Sequence, residues 1–202
     1  MKLGALLLVL SYVFGLGAEK NWNRFRGING NGSFPEIHLP VKWQKQDHTW
    51  EVKLPGTGHS SPVIWEDKIF TTCASANDSS QYVLLINSTN GKVQWQKKFP
   101  SAPYPHHKFN SYASSTPAVD QDYLFVSWTT KQSNDLICLN HDGKLIWRRN
   151  FGAYQTQHGN GFSPIVHGKF IIVTHDHESD SAIYALERNS GRTIWKVDRV
   201  GS

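Results

Sequence analysis

Apolar positions along this 202-residue chain gather into short β-rich runs, each bounded by Gly, Pro, Asn or Asp turns. The runs come in sets of four. Each set opens on a polar entry ending in proline: Ser60-Ser61-Pro62-Val63-Ile64, Ser115-Thr116-Pro117-Ala118-Val119 and Ser163-Pro164-Ile165-Val166. A tight turn (Glu66-Asp67, Asp120-Gln121-Asp122, His167-Gly168) leads to a second run, from Ile69 to Cys73, Tyr123 to Ser127 and Phe170 to Thr174. A looser polar stretch precedes the third, from Tyr82 to Asn87, Asp135 to Asn140 and Ala182 to Glu187. A turn centred on Gly91, Gly143 or Gly191 then leads to a strand carrying Trp95, Trp147 or Trp195. Trp50 stands one period earlier, so four tryptophans mark a self-similar repeat of about fifty residues.

Asn-Gly and Asp-Gly between apolar runs predict hairpins, because these residues tolerate positive φ. A proline at the start of every first run predicts an edge strand, since proline lacks the ladder N–H. Four antiparallel strands repeated at this spacing predict an all-β fold of β-propeller blades, the first strand of each lining a central channel. Three blades are expected, over residues 58–98, 110–149 and 160–198, together with an orphan outer strand at 49–54. Such a set makes an incomplete ring, so the chain reads as the N-terminal part of a longer propeller, and its open blade edges predict self-association. The four tryptophans are expected to be structural, each docking on a neighbouring blade's turn.

The turn-plus-tryptophan element resembles the docking motif of the pyrroloquinoline-quinone (PQQ)-type propeller repeats, roughly Ala-x-Asp-x-x-x-Gly-Lys-x-x-Trp. Gly91-Lys92-Val93-Gln94-Trp95, Gly143-Lys144-Leu145-Ile146-Trp147 and Gly191-Arg192-Thr193-Ile194-Trp195 match its second half. The acidic position departs from it, being Asn87, Asn140 and Glu187, and the alanine survives only as Ala185. Asn21-Trp22-Asn23-Arg24-Phe25-Arg26-Gly27, followed by Gly30 and Gly32, is similar to the opening of exported bacterial members, among them barrel-assembly propellers and quinoproteins. The resemblance covers residues 21–202. It implies the fold, and leaves dehydrogenases and non-catalytic scaffolds both open. Catalytic members hold the quinone against a Trp and an adjacent-cysteine disulfide, with a calcium ion on carboxylate and amide oxygens. Cys73 and Cys138 are not adjacent, and no acidic set recurs at a calcium spacing.

Met1-Lys2 and the apolar run to Leu16, followed by Gly17 and Ala18, read as a secretory signal over residues 1–18. The run is short for a membrane span, and an exported, periplasmic or extracellular protein follows from it. Residues 19–57 form an N-terminal segment ahead of the blades. Export permits a disulfide, so Cys73 and Cys138 are either two buried strand thiols or one bridge. The formal charge of +5 is spread without a clustered basic stripe, which argues against a nucleic-acid partner. Sequons at Asn31, Asn77 and Asn87 matter only in a eukaryotic secretory route, and the proline-rich loop from Phe99 to Pro105 reads as a stiff spacer.

Histidines carry the candidate chemistry. His59, His107 with Asn110, and His158 lie in loops just before the three inner strands, which places them on one face near the propeller axis. A shared ligand site is expected there, with no carboxylate at a fixed spacing to complete a metal centre. In His175-Asp176-His177, strand alternation sets Asp176 opposite the two imidazoles, leaving two same-face ligands at best. No catalytic residue and no cofactor is assigned. The expectation is an exported, non-catalytic binding or scaffolding module that presents loops to a protein or polysaccharide. The alternative is a fragment of a quinoprotein dehydrogenase, under which alone PQQ and calcium enter.

Overall fold

A computed structural model describes residues 21–34, 40–178 and 180–200, so the expected signal segment lies outside the described residues. Regular structure among them is β, apart from one short 3-10 turn at Lys45–Asp47. The first sheet is β1 (Val63–Trp65), β2 (Lys68–Ser75), β3 (Ser80–Asn87) and β4 (Val93–Pro100). The second is β5 (Ala118–Val119), β6 (Tyr123–Thr129), β7 (Asn134–Asn140) and β8 (Leu145–Asn150). The third is β9 (Ile165–His167), β10 (Phe170–His175), β11 (Ser181–Glu187) and β12 (Thr193–Arg199). Each is a four-stranded antiparallel meander in chain order. These are three propeller blades in an open arc, with β5 beside both β1 and β9.

Each inner strand begins at the residue directly after a proline, Pro62, Pro117 or Pro164, and none exceeds 3 residues. Proline cannot donate to a ladder, so pairing starts only beyond it. Blades bury their faces against one another. Val63, Phe70, Val83 and Leu85 of the first pack on Val119, Leu124, Val126 and Ile137 of the second. Phe125, Leu136 and Cys138 of the second pack on Ile171, Val173 and Leu186 of the third. Nearest-neighbour cores of this kind explain how a chain with only 39% apolar residues holds together.

The tryptophan latch repeats. Trp50 Nε1–H donates to Ser88 O at 2.9 Å, Trp95 to His141 O at 2.8 Å and Trp147 to Arg188 O at 2.9 Å. Each ring lies over the glycine of the following blade's turn. A Cβ at Gly91 would sit 2.7 Å from Trp50, and one at Gly191 would sit 2.7 Å from Trp147. Trp95, Trp147 and Trp195 each stand beside a register shift in their own blade, at Leu85/Ile86, Cys138/Leu139 and Ala185/Leu186. A bulge adds local twist, and it recurs at the same position in all three blades. The unusual Asn87 and Asn140 serve the turn directly. Asn87 Oδ1 accepts the Thr89 and Asn90 amides, and Asn140 Oδ1 those of Asp142 and Lys144.

Trp195 has no such seat among the described residues and is 42% exposed. The strand expected over residues 49–54 takes another form. Trp50, Val52 and Leu54 pack on Cys73, Tyr82, Leu84 and Ile86, but the segment forms no ladder. It is extended chain with strand-like alternation, because no described strand lies beside it to pair with. Both cysteines are free and buried, which decides for two strand thiols over a bridge. Cys73 faces the outer cluster with Trp50, and Cys138 lies between the second and third blades.

Candidate functional site

The N-terminal segment runs across the inner strands. Trp22 and Ile64 exchange backbone hydrogen bonds at 3.0 and 2.8 Å, and Val119 N–H donates to Asn23 O at 2.9 Å. Trp22 packs over Gly27, where a Cβ would meet its ring at 2.7 Å. Beyond that anchor, Phe25 stands 49% exposed at the mouth formed by the three inter-blade loops.

An open cleft of about 620 Å³ lies there. His59 reaches it from the loop before β1, His107 and Asn110 from the loop before β5, and His158 from the loop before β9. All four residues singled out in the sequence therefore line one cleft. Phe25, Phe109, Ser114, Gly161 and Ser163 line it as well. Those five carried no catalytic or ligand pattern in sequence; the one available signal was the Trp22–Gly27 motif ahead of the blades, which places Phe25.

The loops are tied to each other rather than free. His158 O accepts from His107 N–H at 3.2 Å and from Asn110 Nδ2 at 2.6 Å, joining the second and third loops. Gly159 permits the approach: with φ +83° it lies where a Cβ would be 2.7 Å from Asn110 Nδ2. Asn110 Oδ1 accepts from Ser111 N–H at 2.8 Å and from the Ser114 hydroxyl. His59 N–H donates to Ala113 O at 3.1 Å, which joins the first loop to the second. The His107 and His158 rings meet edge to face, with centroids 5.7 Å apart. Phe109 N–H donates to His107 Nδ1 at 3.3 Å, so the neutral ring carries its proton on Nε2.

Chemically, this lining offers imidazole, carboxamide and hydroxyl groups beside two exposed phenyl rings. Ser163 Oγ accepts the Thr116 amide at 3.0 Å, and the Ser114 hydroxyl is spent on Asn110. Neither serine is hydrogen-bonded to an imidazole, so the nucleophile-and-base pairing of acyl-transfer sites is missing from these contacts. The arrangement suits recognition of hydroxyl-rich or mixed polar ligands.

The residues present do not make a seat for quinone and calcium. Among the described residues no carboxylate lines the cleft, Cys73 and Cys138 sit in separate packing clusters, and no group of three or more His, Cys, Asp or Glu could hold a metal. His175 and His177 lie elsewhere, at the end of β10 and in the turn after it. Their rings are 4.4 Å apart, while Asp176 turns away to pair with Arg199 at 2.5 Å. Asn134 Nδ2 lies 2.7 Å from His175 Nδ1, and burial with His177 beside it pushes the His175 imidazole down to about 4. That pair is a packed, hydrogen-bonded element of the blade.

The family described as outer membrane protein assembly factor BamB matches residues 79–202. The chain belongs to this family of PQQ-like repeats. No curated protein sequence matches it. Among solved structures, quinohemoprotein alcohol dehydrogenase ADHIIG from Pseudomonas putida HK5 is similar with a TM-score of 0.54 and 12% identity, over 76% of this chain and 22% of that one. Quinohemoprotein alcohol dehydrogenase from Comamonas testosteroni (TM-score 0.50, 16% identity) covers 72% of this chain and 21% of its own. A europium-containing methanol dehydrogenase, with the same score and identity, covers 71% and 25%. At these identities the likeness is one of fold. The chain spans about a quarter of the length of these structures. No helix among the described residues is long and apolar enough to cross a membrane.

Proposed function

We propose that this chain is a non-catalytic binding module of the exported PQQ-like propeller type, which presents the loops of one face to a polysaccharide or protein partner. One observation carries the reading: loops from three consecutive blades and the N-terminal segment bring His59, His107, Asn110, His158 and Phe25 to one cleft with no carboxylate among its described lining residues. Hydrogen bonds between the loops hold the loop backbones and Asn110 in place without a ligand, which lowers the ordering cost of binding. The family's description as an assembly factor supports a scaffolding role, and the basic N-terminal leader supports export. The experiment is a binding panel of soluble polysaccharides and candidate partner proteins, run with wild type, His59→Ala and His107→Ala. Binding that both variants weaken is the expected result, and binding indifferent to both refutes this use of the cleft.

The solved neighbours, all dehydrogenases, favour a second reading, in which these blades belong to a quinoprotein dehydrogenase. Adding PQQ and calcium and following dye reduction with simple alcohols and sugars discriminates the two. Turnover sustained by the chain overturns the binding-module reading.

A further inference from the structure

A second cleft, of about 420 Å³, adjoins the first across the Phe25 ring and shares Phe25, Gly161 and Ser163 with it. Its chemistry differs. Arg24 and Arg26 line it from the N-terminal segment, Asn29 and Gly30 from the following turn, and Pro164 and Ile165 from the start of β9. Among the described residues no acidic side chain lines either cleft, and neither arginine is in an ion pair. Arg24 is fixed by two carbonyls: Nε donates to Gly27 O at 3.2 Å and Nη2 to Ile28 O at 3.0 Å. Those acceptors orient the guanidinium without cancelling its charge. Arg26 is exposed and holds a left-handed backbone, φ 62°, with its guanidinium 5.7 Å from the Phe25 ring.

The two lobes therefore present different groups to one ligand. The first lobe offers the imidazoles of His59, His107 and His158 and the hydroxyl of Ser163, which suit sugar hydroxyls. The second offers two guanidiniums that no described carboxylate pairs, which suit a carboxylate or sulfate. Phe25 between them, and Phe109 at 77% exposure on the far side, offer apolar faces to sugar rings. The two volumes, about 620 and 420 Å³, fall within the range of sites for small ligands, about 300–1,000 Å³. Resting on the binding-module reading above, we propose that the joined clefts bind an acidic oligosaccharide, with its hydroxyls in the His59–His107–His158 lobe and an anionic substituent against Arg24 and Arg26.

Calorimetric titration of the whole chain tests this with three probes of equal length. They are oligogalacturonate, its methyl ester (the same sugar with the charge removed), and a sulfated chondroitin oligosaccharide. At least one acidic probe should bind, about tenfold or more tighter than the ester, and should weaken as salt rises. Arg26→Gln should erase most of the difference between acid and ester, and Arg26→Lys should restore part of it. His59→Ala should weaken acid and ester alike. A thermal melt of each variant confirms that it is folded, and Arg24 is left unchanged because it also ties its own loop. Equal binding of acid and ester, with His59→Ala still weakening both, overturns the acidic ligand while keeping a glycan-binding cleft. Absence of binding to every glycan, or acid binding unmoved by Arg26→Gln, overturns the proposal; in the first of these cases, a protein partner whose binding is weakened by His59→Ala and Arg26→Gln assigns the surface to protein recognition instead.

Discussion

Gly191→Ala isolates the tryptophan latch from the ordinary cost of a left-handed turn. Gly191 has φ +68°, and a Cβ there would meet Trp147 Cε3 at 2.7 Å. Gly168, in the same blade, has φ +56° with nothing within 4 Å of the added carbon. Both substitutions incur the left-handed penalty for an L-residue, about 1–2 kcal/mol. Only Gly191→Ala also drives a methyl into the ring, an overpacking cost of about 1–3 kcal/mol, so it should destabilise by roughly 2–5 kcal/mol against 1–2 for Gly168→Ala. Trp147→Ala removes the ring from Phe125, 5.9 Å away by centroid, and the bond to Arg188 O, a large-to-small loss of about 3–5 kcal/mol. In that background the steric part of Gly191→Ala vanishes and only the backbone part remains. Chemical denaturation of the four proteins in this double-mutant cycle should therefore show a coupling of about 1–3 kcal/mol. Strict additivity, or a Gly191→Ala cost equal to that of Gly168→Ala, refutes the latch as a source of stability.

Trp195→Ala should cost far less than Trp147→Ala, because its ring is 42% exposed and unseated; equal losses by denaturation would show that Trp195 is docked in solution. The same strand exposes Ile194 and Val197, so light scattering should find self-association that Trp195→Lys reduces; a monodisperse wild-type monomer contradicts this. His175 is 4% exposed, faces His177, Asp176 and Lys196, and has its imidazole lowered from 6.5 to about 4. On acidification the unfolded chain takes up that proton first, so stability should fall between pH 6.5 and 4 by about 3 kcal/mol, and the fall should shrink in His175→Phe. Denaturation midpoints of both proteins across that window supply the check, and identical pH slopes refute it. Burial pushes both thiols up, so Cys73 and Cys138 should resist a thiol reagent at pH 8 until the chain unfolds; rapid native labelling would mean the blades open.

Much of the fold was legible because the repeat states it three times. The strands, the Gly turns and the proline before each inner strand follow from local chemistry that a sequence displays. The latch was legible too, since a Trp and a Gly at fixed offsets have few other uses. The 49–54 segment was not. Its alternation at Trp50, Val52 and Leu54 reads as a strand, but a strand also requires a partner, and pairing is a property of the neighbour. For the cleft, position relative to the inner strands was enough to bring His59, His107, Asn110 and His158 together. The contribution of Arg24, Phe25 and Arg26 was hidden, because only the crossing of Trp22 against Ile64 carries that segment over the mouth. No spacing rule connects residues 24–26 with 158–165.

The latch also fixes an order of events during synthesis. Trp50, Trp95 and Trp147 each precede the glycine that seats them by roughly forty to fifty residues, about one repeat. As the chain leaves the ribosome, a blade's last strand thus waits, its ring unseated, until the next blade has been made and has formed its turn. Completion of one repeat is signalled by the arrival of the next. Through most of elongation one tryptophan is therefore unseated near the growing end, and each is covered shortly before the next is made.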